Sequence, residues 1–155
     1  MTKFLLSVHV LAAILAIGPI AVAASVFPRF AGPAAADERA AAVAAFLHRI
    51  CRGYTFVGIA VPVFGVGTAL QLGVLGDAWL IASIILTTAA AALLVGAILP
   101  AQQRLLAAPA PSPADAAPEP PHTAARLGML TGTFNLLWAV VVVLMIVRPG
   151  STTGA

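Results

Sequence analysis

Four long apolar stretches constrain this chain more than any other feature: Phe4 to Val26, Tyr54 to Gly73, Trp79 to Leu99, and Leu127 to Val147. Each approaches or exceeds the roughly 20 residues that a helix needs to cross the hydrocarbon layer. Only 8% of the residues are charged and 61% are hydrophobic, whereas a soluble domain carries roughly 25% charged residues. Water is therefore not the main solvent. Backbone groups in lipid must be satisfied within the segment, so the expected fold is all-α: a four-transmembrane-helix bundle forming one membrane domain. The first stretch has a rival reading as a secretory signal, from Lys3, the apolar run and the small residues Ala21 to Ser25. The length of the run and the internal Gly18-Pro19 favour a span.

The connections follow from turn chemistry. Gly32-Pro33 breaks the chain after the first span, and Ala-rich helical sequence resumes from Ala34 to Ile50. Val43, Phe46, Leu47 and Ile50 share one helix face, which fits a short cytoplasmic interfacial helix before the second span. A polar extension of the second span explains the same pattern equally well. Only Val74 to Ala78 separate the second and third spans, with Gly73, Gly76 and Asp77 to turn the chain, so these spans form an antiparallel hairpin. The connection around residues 107–122 holds Pro109, Pro111, Pro113, Pro118, Pro120 and Pro121 and reads as an extended linker.

Orientation follows from the distribution of basic residues. Arg29, Arg39, Arg49, Arg52, Arg104 and Arg126 lie in or beside the two long connections, against Lys3 and Arg148 on the other face. The positive-inside rule then puts both termini outside the cytoplasm. The richness in Ala, Gly, Pro and Arg beside a single Lys suggests a GC-rich bacterial genome, hence an inner membrane. The net charge of +3 arises from residues flanking spans, where they meet lipid headgroups, so membrane lipid is an expected partner and nucleic acid is not. Cys51 stands alone, which excludes a disulfide or CxxC pair within one chain.

His9 is the one ionisable side chain well inside a span, and such groups are functional candidates by default. Ala12, Ala13 and Ala16 follow at i+3, i+4 and i+7. That small-residue strip leaves room for a flat macrocycle whose iron takes His9 as its metal ligand, or alternatively for close helix packing with His9 hydrogen-bonded across the interface. Ser83 lies at a depth similar to that of His9, so Ser83 or a backbone carbonyl is expected to receive the second imidazole N–H. Met145, nearer the same depth, offers a thioether as a weak axial ligand. His48 and His122 fall at the opposite ends of their spans and read as solvated interfacial residues. Gly128-x-x-x-Gly132, and Gly65, Ala69 and Gly73, are spaced for close helix approach: packing within the bundle first, homodimer contacts second. Asn135 and Trp138 should face the bundle, where Asn135 needs a partner. No HExxH, phosphate loop, buried carboxylate or Ser/His/Asp set is present, which disfavours an enzyme or a charge-coupled pump.

Val8-His9-Val10-Leu11-Ala12-Ala13-Ile14-Leu15, Phe27-Pro28-Arg29-Phe30, Trp79-Leu80 and Leu144-Met145-Ile146-Val147-Arg148-Pro149-Gly150 together resemble an uncharacterised family of bacterial four-helix integral membrane proteins. More distantly they are similar to the CopD copper-resistance proteins and the HemJ protoporphyrinogen oxidases. The resemblance implies a histidine associated with b-type haem (haem b) at His9. The oxidases carry a lysine after a Trp-Leu pair in a later helix, and the corresponding position here falls at or near Ser83. A non-enzymatic haem-binding or accessory membrane subunit is the resulting expectation, with a HemJ-like oxidase and a CopD-like copper transport accessory as alternatives.

Overall fold

The computed structural model describes residues 2–32, 34, 37–107 and 121–150, and for 121–124 the backbone alone. Its elements are α1 (Thr2–Ala31), α2 (Glu38–Gly58), α3 (Ala60–Leu72), α4 (Ala78–Leu93), α5 (Leu99–Ala107) and α6 (Pro121–Val147). No strand occurs among the described residues. Four continuous rods are long and apolar enough to cross a membrane: Thr2–Ala31, Glu38–Leu72, Ala78–Ala107 and Ala125–Val147. The four-helix membrane bundle is thus the fold of this chain. Most of the Pro-rich connection expected around residues 107–122 lies outside the described residues.

Prolines set the internal joints. Pro62 has no N–H for the Gly58 carbonyl, and its ring crowds that oxygen. The regular hydrogen bonding is accordingly interrupted at Ile59, which keeps helical dihedrals while its N–H turns back to Phe56 O at 3.2 Å. Pro100 likewise withholds a donor from Gly96. There the chain widens into a π-helical turn at Leu94–Ile98, closed by the Leu99 N–H on Leu94 O. Nothing interrupts Glu38 to Gly58, so the basic stretch before the second span is an extension of that span and not a separate interfacial helix. Asp37 caps it, its carboxylate accepting from Arg39 N at 2.8 Å.

The α3–α4 hairpin closes as its glycines require. Gly73 adopts φ 69°, a left-handed conformation that suits glycine, and Val74 N donates to Ala69 O at 3.2 Å. Asp77 starts α4 but spends its side chain on Trp79, accepting from Nε1 at 2.9 Å. The Arg148 guanidinium lies 5.5 Å from the Trp79 ring centroid, which ties the end of α6 to this hairpin.

Contacts between helices fix the register. Thr2 Oγ1 meets Gln71 Oε1 at 3.4 Å, and Cys51 Sγ approaches Ile20 O at 4.0 Å, so α1 runs antiparallel to the α2–α3 rod. α1 packs most extensively on α2 and α3, and α6 on α4. The larger core cluster, with Ile20, Phe27, Leu94, Ile98, Leu127 and Phe134, includes the positions nearest the basic end. A smaller one of Ala69, Val74, Trp79 and Leu80 lies at the hairpin end. Many buried positions are alanines, among them Ala16, Ala23, Ala24, Ala44 and Ala90, while Phe4, Leu11, Ile14, Ile85, Leu136 and Ile146 point outward. This distribution suits a lipid solvent, which is as apolar as leucine and leaves close packing and hydrogen bonds to hold helices together.

Candidate functional site

His9 is 8% exposed and bridges α1 to α3. Its Nδ1 lies 2.8 Å from the carbonyl oxygen of Val61. A carbonyl only accepts, so Nδ1 carries the proton and the Nε2 lone pair is left without a hydrogen-bond partner among the described residues. One turn further along α3, Gly65 lies so close that a Cβ there would stand 2.9 Å from His9 Cε1 and 3.1 Å from Nδ1. Only a glycine lets the imidazole lie this near the α3 backbone.

The other predicted site residues divide around this contact. Ala12 and Ala13 are half-buried beside His9, and Ala16 is fully buried one turn on. Ser83 is fully buried, but its hydroxyl donates to Trp79 O at 2.8 Å, within its own helix. Of the two acceptors expected for the imidazole N–H, the backbone carbonyl takes it. Met145 packs against the cluster around Trp79 and Leu80. The donor set thus offers haem one imidazole nitrogen in a suitable tautomer, with neither Ser83 nor Met145 shown against it. Among the described residues no three His, Cys, Asp or Glu side chains converge on one point.

His48 departs from the expectation of a solvated interfacial residue. It is half-buried, and its Nδ1 lies 2.9 Å from Gln102 Oε1. Gln102 is completely buried and donates through Nε2 to Cys51 Sγ at 3.7 Å. Sequence reasoning missed this chain from His48 to Cys51. Its signal was present, because Gln102 continues the stripe Leu94, Ile98 at four-residue spacing and so falls on a core-facing position. The side chain of His122 lies outside the described residues.

On α6, Asn135 Nδ2 donates to Ser25 Oγ at 3.2 Å, which supplies the expected partner. Asn135 Oδ1, Thr131 Oγ1 and Trp138 Nε1 are buried without partners. Thr131 contrasts with Thr55, Thr68, Thr88 and Thr133, whose hydroxyls each bond the carbonyl four residues back. The Phe134 and Trp138 rings meet edge to face, 6.3 Å between centroids. The small-residue motifs also separate. Gly65 and the buried Ala69 serve packing within the bundle. Gly128 and Gly132 do not: both are exposed, and a Cβ at either would meet nothing within 4 Å. Leu127, Thr131 and Phe134 take the inward face of α6 and rotate these glycines outward.

Neither the curated proteins nor the solved structures provide a match to the chain. Residues 3–149 match a protein family described as a predicted integral membrane protein (DUF2269). The match takes in all four rods and the His9 contact. The chain is therefore a member of the DUF2269 family of integral membrane proteins.

Proposed function

We propose that this protein is a non-enzymatic component of the bacterial inner membrane that presents Nε2 of His9 to the iron of haem b. The carrying observation is the Val61 carbonyl on Nδ1, since a histidine bound to metal normally gives its second N–H to such a group. Bound haem would supply one-electron redox chemistry. The chain's own contribution is to hold the imidazole in one tautomer against Gly65 and to keep the strip of Ala12, Ala13 and Ala16 small. With Ser83 bonded within α4 and Met145 in the Trp79 cluster, haem would be held by His9 alone or shared with His9 of a second copy. That second possibility fits an accessory subunit of a membrane complex or a homodimer. The oxidase alternative gains no titratable group from Ser83, and the copper alternative gains no cluster of soft ligands.

Purified protein, expressed with ample haem, should show a reducible Soret band. His9→Gln keeps a donor for Val61 while removing the imidazole, and should fold but lose the band, whereas His48→Ala and His122→Ala should retain it. A colourless wild type, or full haem content in His9→Gln, refutes the proposal. A second reading then stands on the Gly65 contact: His9 is a polar clamp between α1 and α3 with no ligand.

A further inference from the structure

The π-helical turn at Leu94–Ile98 and the following Pro100 leave a cavity of about 300 Å³ between the α4–α5 rod and α6. Gly96, Ala97, Leu127 and Leu130 are among its apolar lining, and Arg104 and Arg126 are its charged lining. Among the described residues no acidic side chain lines it. Both arginines are exposed, at the end of the bundle where Arg39, Arg49 and Arg52 also lie. From this we infer that the cleft is a binding site for one anionic phospholipid of the leaflet at the basic end. The headgroup phosphate sits between Arg104 and Arg126, and part of an acyl chain lies along Gly96, Ala97 and Leu130.

Two properties select this occupant. Guanidinium groups pair with phosphate oxygens through parallel N–H donors, and basic pockets between transmembrane helices are suited to anionic headgroups. A free anion would satisfy the arginines but leave the apolar lining unused. The chain's own connection at 108–120 joins α5 to α6 in sequence and contains Asp115 and Glu119. It otherwise consists of Ala, Pro and Ser, with no large apolar side chain to match the apolar lining of the cleft. A lipid matches both parts of the site: its phosphate the arginines and its hydrocarbon the apolar lining.

Native mass spectrometry of the purified full chain in a neutral detergent tests this, with dioleoylphosphatidylglycerol, dioleoylphosphatidylcholine and inorganic phosphate as probes. Phosphatidylglycerol should be retained at a concentration at least tenfold below that needed for phosphatidylcholine. Arg104→Gln/Arg126→Gln should abolish that preference, and Arg49→Gln/Arg52→Gln, which removes the same charge from the same end, should preserve it. Gly96→Leu, placed where a Cβ meets no atom within 4 Å, should fold and weaken phosphatidylglycerol binding with both arginines intact. Equal loss in the two arginine pairs would show diffuse surface attraction and overturn the assignment. So would displacement of the lipid by inorganic phosphate at equal concentration, which identifies a free anion. A tenfold gain in lipid affinity on Asp115→Asn/Glu119→Gln would identify the acidic connection as the occupant instead, with the same consequence.

Discussion

Gly65→Ala tests the contact on which the reading of His9 depends. The added methyl would stand 2.9 Å from Cε1 and 3.1 Å from Nδ1, whereas carbon atoms rest at about 3.5–4.0 Å. The imidazole must therefore retreat by roughly half an ångström or more, which stretches its 2.8 Å bond to Val61 O towards the limit of about 3.2 Å. Overpacking of this kind costs about 1–3 kcal/mol, and a lost interhelical hydrogen bond in a membrane protein adds about 0.6 kcal/mol. Replacing a helical glycine by alanine returns up to about 1 kcal/mol, so the net loss should be about 1–2 kcal/mol. Equilibrium unfolding in mixed micelles, followed by tryptophan fluorescence, measures it. Gly67→Ala and Gly128→Ala, where the new Cβ meets nothing within 4 Å, should be neutral or slightly stabilising. In a His9→Ala background the cost of Gly65→Ala should vanish, because the two residues then no longer compete for the same space. If Gly65→Ala is as stable as Gly67→Ala with His9 present, the α1–α3 clamp does not exist.

Gln102→Leu leaves the His48 N–H without its acceptor and the Cys51 sulfur without its donor; it should destabilise the protein by about 1–3 kcal/mol in the same unfolding assay, and a neutral result would dismiss that network. Thr131→Val removes a buried hydroxyl that has no partner and should be neutral or stabilising by up to about 1 kcal/mol, so a clear loss would reveal a bond to that hydroxyl. Alkaline phosphatase fused after Ala155 should be active and the same enzyme inserted at Pro111 inactive, in keeping with six basic residues against two; the reverse pattern would invert the topology. Expression should fail to rescue growth of a strain lacking its own protoporphyrinogen oxidase, since Ser83 brings no titratable group to His9, and rescue would restore the enzyme reading.

The spans were legible because hydropathy over some twenty residues depends on composition alone, and the α3–α4 turn because Gly73 and Asp77 announce it locally. His9 stood out for a related reason: a lone imidazole in hydrocarbon needs a partner wherever the helices settle. Which partner it takes depends on helix rotation, and rotation was hidden. Gly65 and Gly128 look alike in the sequence, each in a four-residue spacing of small residues. One meets an imidazole and the other faces outward, because neighbouring side chains decide which stripe of each helix is buried. The π-helical turn had a partial cue in Pro100. The joining of the Arg-rich stretch to the second span rested on the absence of a helix breaker between Glu38 and Gly58, which the apolar spacing of Val43 and Ile50 could not reveal.

The alanine-lined interior reverses the usual relation between side-chain size and tolerance to mutation. In a water-soluble domain, truncating a large core residue opens a cavity and surface changes are mild. Here many of the largest apolar residues already face outward, so exchanging Ile14 for leucine or Ile146 for valine only redecorates a surface wetted by acyl chains. The positions that specify this bundle are small: Ala24 and Ala44, both with no exposed surface, have no space for a larger group without pushing two helices apart. In a library of random variants, the depleted substitutions should be those that enlarge alanine and glycine on the inward stripes. Much of the architecture would then be recorded in what cannot grow.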